Sequence, residues 1–151
     1  MDLPLISVVV PTCGRIALLA RCLDALSAQS LPYARFEVIV VDDRVAPRND
    51  AVADACARAR RRGLQVRCLP NTGVHGPAAA RNVGWQAARS AWVGFTDDDT
   101  IPQPDWLAQA CAAFMPAAPA AADAANTNTN VDAMWGGVQV PLPPSPTDYE
   151  L

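Results

Sequence analysis

Lysine is absent from the chain, and all twelve basic residues are arginine. That excludes a Walker A phosphate loop, whose lysine reaches the β- and γ-phosphates. A dinucleotide fingerprint is excluded too, because the glycine-rich pattern G-x-G-x-x-G is missing and Pro11-Thr12-Cys13-Gly14-Arg15 offers one glycine. The five cysteines, Cys13, Cys22, Cys56, Cys68 and Cys111, form no C-x-x-C, so neither a zinc knuckle nor a redox dithiol is indicated. Free thiols in a reducing compartment are the simplest reading. No apolar run approaches the roughly 20 residues of a membrane span. The N-terminus lacks a basic n-region, so no signal peptide is expected, and the expected place is the cytoplasm or the inner face of the membrane. The sole basic tract is Arg58, Arg60, Arg61 and Arg62, and the net charge is −3. Nucleic acid, which needs a broad basic face, is therefore not an expected partner. The tract reads as a helix end, where cations suit the dipole.

Apolar residues make up 51% of the chain and charged ones 18%, a globular balance at a length that suits one domain. Short β-branched runs alternate with helical spacing. Strands are predicted over 6–10, 36–41, 64–69 and 91–95, and helices over 16–28, 51–62, 78–89 and 104–114. Gly63 closes the second helix in the usual C-terminal position. The β-α alternation argues for an α/β fold with a mostly parallel sheet flanked by helices. Residues 116–130 are Ala, Pro, Asn and Thr with almost no large apolar side chain and read as a flexible loop. A further strand is suggested over 134–140, followed by a Pro-rich tail over 141–151. The resulting division is a β-α domain over 1–115, the loop over 116–130, and a strand and tail over 131–151.

In open parallel sheets, ligands bind beyond the carboxyl ends of the strands, where strand order reverses. Every unusual polar cluster here follows a predicted strand. Pro11 to Arg15 follows the first, Asp42-Asp43-Arg44 the second, 71–77 the third and Asp97-Asp98-Asp99 the fourth. Three adjacent carboxylates repel one another unless a cation or donor compensates them. A solvated turn or a helix N-cap is the plain alternative for such a run. Its place after an apolar strand, with arginines offered from other loops, favours Mg²⁺ or Mn²⁺, which take one or two carboxylates together with substrate phosphates. Asp43 is a turn residue or an acceptor for a base or ribose. Arg15 is a surface charge or a diphosphate donor. Arg81, at a helix start where a cation is disfavoured, calls for an anion or an Asp as partner. His75, the one histidine, reads as a loop hydrogen-bonder and not a metal ligand, and Cys13 as a small packing residue.

The runs ISVVVPTCGR, FEVIVVDD, NTGVHGPAAARNVGW and WVGFTDDDTIPQPDWL, in this order and spacing, resemble family-two glycosyltransferases with the GT-A fold, a Rossmann-like arrangement. The resemblance covers roughly residues 5–114. It implies an inverting transfer of sugar from a nucleotide-diphospho-sugar, with a UDP-sugar expected, to an acceptor that is a glycan, a lipid-linked glycan or a small molecule. Bacterial cell-surface polysaccharide synthesis is the implied setting. Pro11, Thr12 and Arg15 would line the nucleoside pocket, and Asp43 would bond the base. Arg81 and Asn82 would sit near the diphosphate or ribose. Asp97 and Asp98 would join the donor site, and Asp99 with Asp97 would bind Mn²⁺ or Mg²⁺. The family often has Asp-Asp-Gly-Ser after its second strand, whereas Asp43 here is followed by Arg44 and Val45. The family's acceptor region and carboxylate base lie C-terminal to these motifs. The chain is thus expected to hold the donor half, with the base beyond Leu151. A non-catalytic nucleotide-sugar-binding module and a nucleotidyltransferase are the alternatives.

Overall fold

A computed structural model describes residues 3–45, 50–114, 133–134 and 136–137. The loop over 116–130, the suggested strand over 134–140 apart from Met134, Gly136 and Gly137, and the tail over 141–151 lie outside the described residues.

The predicted alternation is present in full. Strand β1 (Ile6–Thr12) leads to α1 (Ile16–Ser27), β2 (Phe36–Asp42) to α2 (Ala51–Arg61), β3 (Val66–Pro70) to α3 (Pro77–Gln86), and β4 (Trp92–Phe95) to α4 (Trp106–Phe114). The strands form one parallel sheet in the order β3-β2-β1-β4. The two central strands are buried along their whole length, which is why β1 and β2 read as mainly apolar runs, Val8–Val10 and Val38–Val41, without alternation.

The two faces of the sheet are covered by different helices. Ile6, Val8, Val10, Phe36, Val38 and Val40 face a core built with Leu19, Leu23 and Leu26 of α1, Val52 and Cys56 of α2, and Leu107 and Ala110 of α4. Val9, Ile39 and Val41 face the other way, onto Ala80 and Val83 of α3. The change of face follows from strand order. Addition runs outward from β1 to β3 and then returns past β1 to β4, and right-handed crossovers in opposite directions put their helices on opposite faces.

Helix ends account for the boundary shifts from the sequence reading. Pro77 sits in the first turn of α3, where its missing N–H costs nothing, and draws the helix start one residue earlier than predicted. Gly63 ends α2 at φ +99°, as expected. The arginine tract falls in the last turn of α2 and just beyond it; Arg60 Nε donates to Val66 O at 2.7 Å, and Arg62 pairs with Asp24. Helix α4 starts later than its prolines suggested. Its first turn is served from outside, because Leu107 N donates to Gln29 Oε1 at 3.0 Å while Gln29 Nε2 donates to Gln103 O at 2.7 Å. Among the described residues no helix is long and apolar enough to cross a membrane.

Candidate functional site

Sheet pairing carries on to the carboxyl edge and sets the loops there. Asp43 N donates to Thr12 O at 2.8 Å, Asn71 N to Asp42 O at 2.9 Å, and Thr96 N to Val9 O at 3.2 Å. Strand order reverses between β1 and β4, and the concavity lies there. Its volume is about 190 Å³, and it is lined by Pro11, Thr12, Cys13, Arg15, Asp43, Pro77, Arg81 and Asp97. Six of these eight are sequence-predicted site residues. Pro77 was not foreseen. Cys13 was read as a packing residue and is instead exposed in the lining, because β1 has ended and the chain turns outward at Gly14.

The acidic triplet is divided by direction. Asp97 and Asp99 have half-exposed side chains, at 51% and 47%, whereas that of Asp98 is 1% exposed. Each outward carboxylate meets an arginine: Arg81 Nη2 donates to Asp97 Oδ1 at 2.5 Å, and Arg15 Nη1 donates to Asp99 Oδ2 at 2.9 Å. The anionic partner that Arg81 called for at its helix start is therefore Asp97. Asp98, expected among the donor-binding residues, is turned inward. Its Oδ2 accepts from Thr12 Oγ1 at 2.6 Å and its Oδ1 from Arg15 Nη2, which leaves it no surface to offer a ligand. The Asp98 bond and charge raise the Arg15 pKa above its ordinary value.

Asp43 closes the opposite wall. Its Oδ1 accepts from Asn71 Nδ2 at 2.6 Å and its Oδ2 from Gly76 N at 2.8 Å. His75 Nδ1 lies 3.0 Å from Asp43 O and 3.2 Å from Asp43 Oδ1, so the nitrogen facing these two acceptors carries the proton. His75 is thus the loop hydrogen-bonder expected. Burial opposes ionisation of Asp43, but the bonds from Asn71, Gly76 and His75 outweigh it and hold its pKa below the ordinary carboxylate value. The Asp42 carboxylate is gripped by Arg44, through Nε at 2.9 Å and Nη2 at 2.7 Å. Here Arg44 stands where the family often has glycine, and it packs over Gly14. Asn82 is not among the residues that line the concavity. One residue after Arg81, it is turned about 100° round the helix and is exposed.

Among the described residues no group of three or more His, Cys, Asp or Glu side chains converges as a metal cage. The outward carboxylates still suit a hard divalent cation. Asp97 Oδ2 and Asp99 Oδ1 have no partner among the described residues, and Mg²⁺ or Mn²⁺ characteristically takes one or two carboxylates while water and phosphate oxygens fill the rest of the shell.

A parallel sheet with helices on both faces and polar loops at its strand-order reversal is an open α/β domain of the class whose ligands bind beyond the carboxyl ends of the strands. The particular family is given by comparison: the sequence model of Glycosyl transferase family 2 matches residues 7–133, and the chain belongs to that family. It is 27% identical over 148 residues to the glycosyltransferase AglE of Haloferax volcanii, covering 98% of this chain and 44% of that protein. The structure of S. aureus TarS 1-349 with UDP-GlcNAc matches at TM-score 0.63 and 28% identity, over 72% of this chain and 30% of that one. A Pyrobaculum calidifontis mannosyltransferase, solved with GDP-Man and Mn²⁺, matches at TM-score 0.59 and 28% identity, over 74% of this chain and 32% of that one. The chain spans less than half the length of each of these relatives. The solved neighbours are GT-A glycosyltransferases, and the fold here is theirs.

Proposed function

We propose that this chain binds the donor of an inverting sugar transfer, a nucleotide-diphospho-sugar held with a divalent cation between the β1, β2 and β4 loops. The observation that carries this is the charge at the strand-order reversal. Four carboxylates, Asp43, Asp97, Asp98 and Asp99, stand with two guanidinium groups, Arg15 and Arg81. A diphosphate would be repelled by that excess unless a cation came with it. Arg15 and Arg81, half-exposed at the rim, supply charge-assisted donors to phosphate oxygens. Asp97 and Asp99 would hold Mn²⁺ or Mg²⁺, which when bound stabilises charge developing on the departing nucleoside diphosphate.

Asp43 is the residue assigned to the base. Three of its roughly four acceptor sites are filled by Asn71, His75 and Gly76, which leaves one on Oδ2 for a ring N–H such as N3–H of uracil. A carboxylate held ionised and immobile is a discriminating acceptor, since a base lacking that donor leaves it unpaired. UDP-GlcNAc and GDP-Man are the donors bound by the two solved neighbours. A UDP-sugar fits the lone remaining acceptor at Asp43. Every donor contact proposed here falls on one of the described residues. The acceptor's deprotonation, which an inverting transfer needs from a general base, is assigned to none of them. The proposed setting is cell-surface polysaccharide synthesis at the cytoplasmic side of the membrane.

Calorimetry tests the reading. UDP should bind in the presence of Mn²⁺ and lose most of its affinity in EDTA, and Asp99→Ala should remove the difference. ADP should bind more weakly than UDP. Equal UDP affinity in Mn²⁺ and in EDTA would exclude the metal, and equal affinity for UDP and ADP would exclude base reading at Asp43. Release of sugar from UDP-sugars in the presence of Mn²⁺, to water or to an added acceptor, separates a transferase from a module that only binds.

A further inference from the structure

We infer that Asp98 is a positioning residue: it sets Arg15 and the turn after β1 for the phosphate ligand without touching that ligand, an inference that rests on the donor-binding reading above. Asp98 is the inward member of the triplet. Its side chain is 1% exposed, and both of its oxygens are taken by residues more than eighty positions earlier in the chain. Oδ2 accepts from Thr12 Oγ1 at 2.6 Å, and Thr12 Oγ1 in turn accepts from Gly14 N at 3.3 Å. This relay, Gly14 N–H to Thr12 to Asp98, fixes the turn that separates β1 from α1. Oδ1 accepts from Arg15 Nη2.

Arg15 thereby acquires two unlike ends. One nitrogen is anchored on a buried carboxylate; the other, Nη1, reaches Asp99 at the surface, where a cation and a diphosphate are proposed to sit. A long side chain that meets a phosphate from free solution loses its rotamer freedom on binding, whereas an anchored one has lost it already. A neutral residue at position 98 could still pack, but it could not hold a guanidinium by charge. A buried carboxylate also needs its charge compensated, which ties Asp98 to Arg15 in return. The triplet therefore has two functions: Asp97 and Asp99 face the ligand, and Asp98 joins the β4 turn to the β1 turn so that Arg15 arrives preset.

A double-mutant cycle in the full chain tests this. Asp98→Asn keeps the side-chain shape and the acceptor for Thr12 but removes the charge that holds Arg15. With Mn²⁺ present, Asp98→Asn and Arg15→Gln should each weaken UDP binding roughly 10- to 100-fold, the scale of one hydrogen bond to a charged group. The double variant should bind no more weakly than the worse single. Additive losses would mean that Asp98 meets the ligand on its own account, and unchanged UDP affinity in Asp98→Asn would mean that it positions nothing; either overturns the inference. Binding of Mn²⁺ alone, read from the free-ion electron paramagnetic resonance signal, should persist in Asp98→Asn and weaken in Asp99→Asn. A second readout needs no ligand. The Arg15 guanidinium N–H resonances should be protected and distinct in the wild type and in Asp99→Asn, and averaged in Asp98→Asn. Resonances unchanged by Asp98→Asn would overturn the anchoring. Should the wild type bind no nucleoside diphosphate, the proposed function falls, and these resonances still decide whether Asp98 holds Arg15.

Discussion

Glu37 shows what a single buried charge does for this fold. It is fully buried in β2, paired in register with Ser7 of β1, and lies at the amino edge of the sheet, opposite the site. Ser7 Oγ donates to it at 2.8 Å, and Arg89 donates through both its backbone N and Nε at 2.9 Å. Burial opposes ionisation, yet these donors and the Arg89 charge outweigh it and lower the pKa below its ordinary 4.5. A carboxylate with a depressed folded-state pKa stabilises the protein above its unfolded pKa, and that stabilisation disappears as pH falls through the folded value. Glu37→Gln should therefore cost about 1–3 kcal/mol at neutral pH, since the buried N–H and O–H donors lose a charged acceptor. The gap between wild type and variant in urea unfolding should shrink as pH drops below 4.5. A gap that stays constant down to about pH 3 would show that the charge contributes nothing. Phe36 to Val41 was legible as a buried strand, and a charge buried inside such a strand needs a partner. The identity of that partner was not legible, because Arg89 is 52 positions away. For the same reason Asp98 was grouped with its neighbours: adjacency in sequence says nothing of which way each carboxylate points.

Elements were the most readable level, because burial on both faces leaves β1 and β2 mainly apolar, with Ser7 and Glu37 the polar exceptions near their starts, and the helices keep their spacing. Strand order was not readable. It is fixed by how each helix beds onto the sheet, and α3 depends on Gly84 for that. A Cβ at Gly84 would come within 2.3 Å of Val9 Cγ1 and 3.2 Å of Val41 Cγ2. This close approach seats α3 on β1 and β2 and brings Pro77 and Arg81 to the concavity. In sequence Gly84 is only a helix-weakening residue within an alanine-rich run; its value lies in the contact. Gly84→Ala is predicted to lower stability by about 1–3 kcal/mol through overpacking, despite the better helix propensity of alanine. Urea denaturation measures this. Val9→Ala should cost less in the Gly84→Ala background than in the wild type, because it clears the clashing methyl groups. A neutral or stabilising Gly84→Ala would show that α3 can lift off the sheet without penalty.

Taken whole, the molecule separates its functions along the strand direction. The amino edge carries the Ser7, Glu37 and Arg89 group, and the carboxyl edge carries every candidate ligand residue. The site loops are not independent of one another. Thr12 and Arg15 are tied to Asp98 and Asp99, Asp43 to Asn71 and Gly76, and Arg81 to Asp97, so carboxylates link the turns after all four strands in pairs. Loops joined in this way should tighten together when a ligand and its cation replace mutual repulsion with attraction, since local opening occurs in cooperative units. Hydrogen exchange followed by residue-resolved mass spectrometry can read this out. UDP with Mn²⁺ should raise protection at the amides of Gly14, Asp43, Gly73, Gly76 and Thr100 as one group, while Leu5 and Ser90 at the amino edge keep their free-state rates. UDP in EDTA should leave the group nearly unchanged, because the excess of carboxylates over arginines then faces the diphosphate without compensation. Protection confined to the Asp97–Asp99 turn would mean that the metal site acts alone and the nucleoside wall is not engaged. An equal rise at both edges would mean that ligand binding stabilises the entire fold and that the four turns do not form a separate cooperative unit.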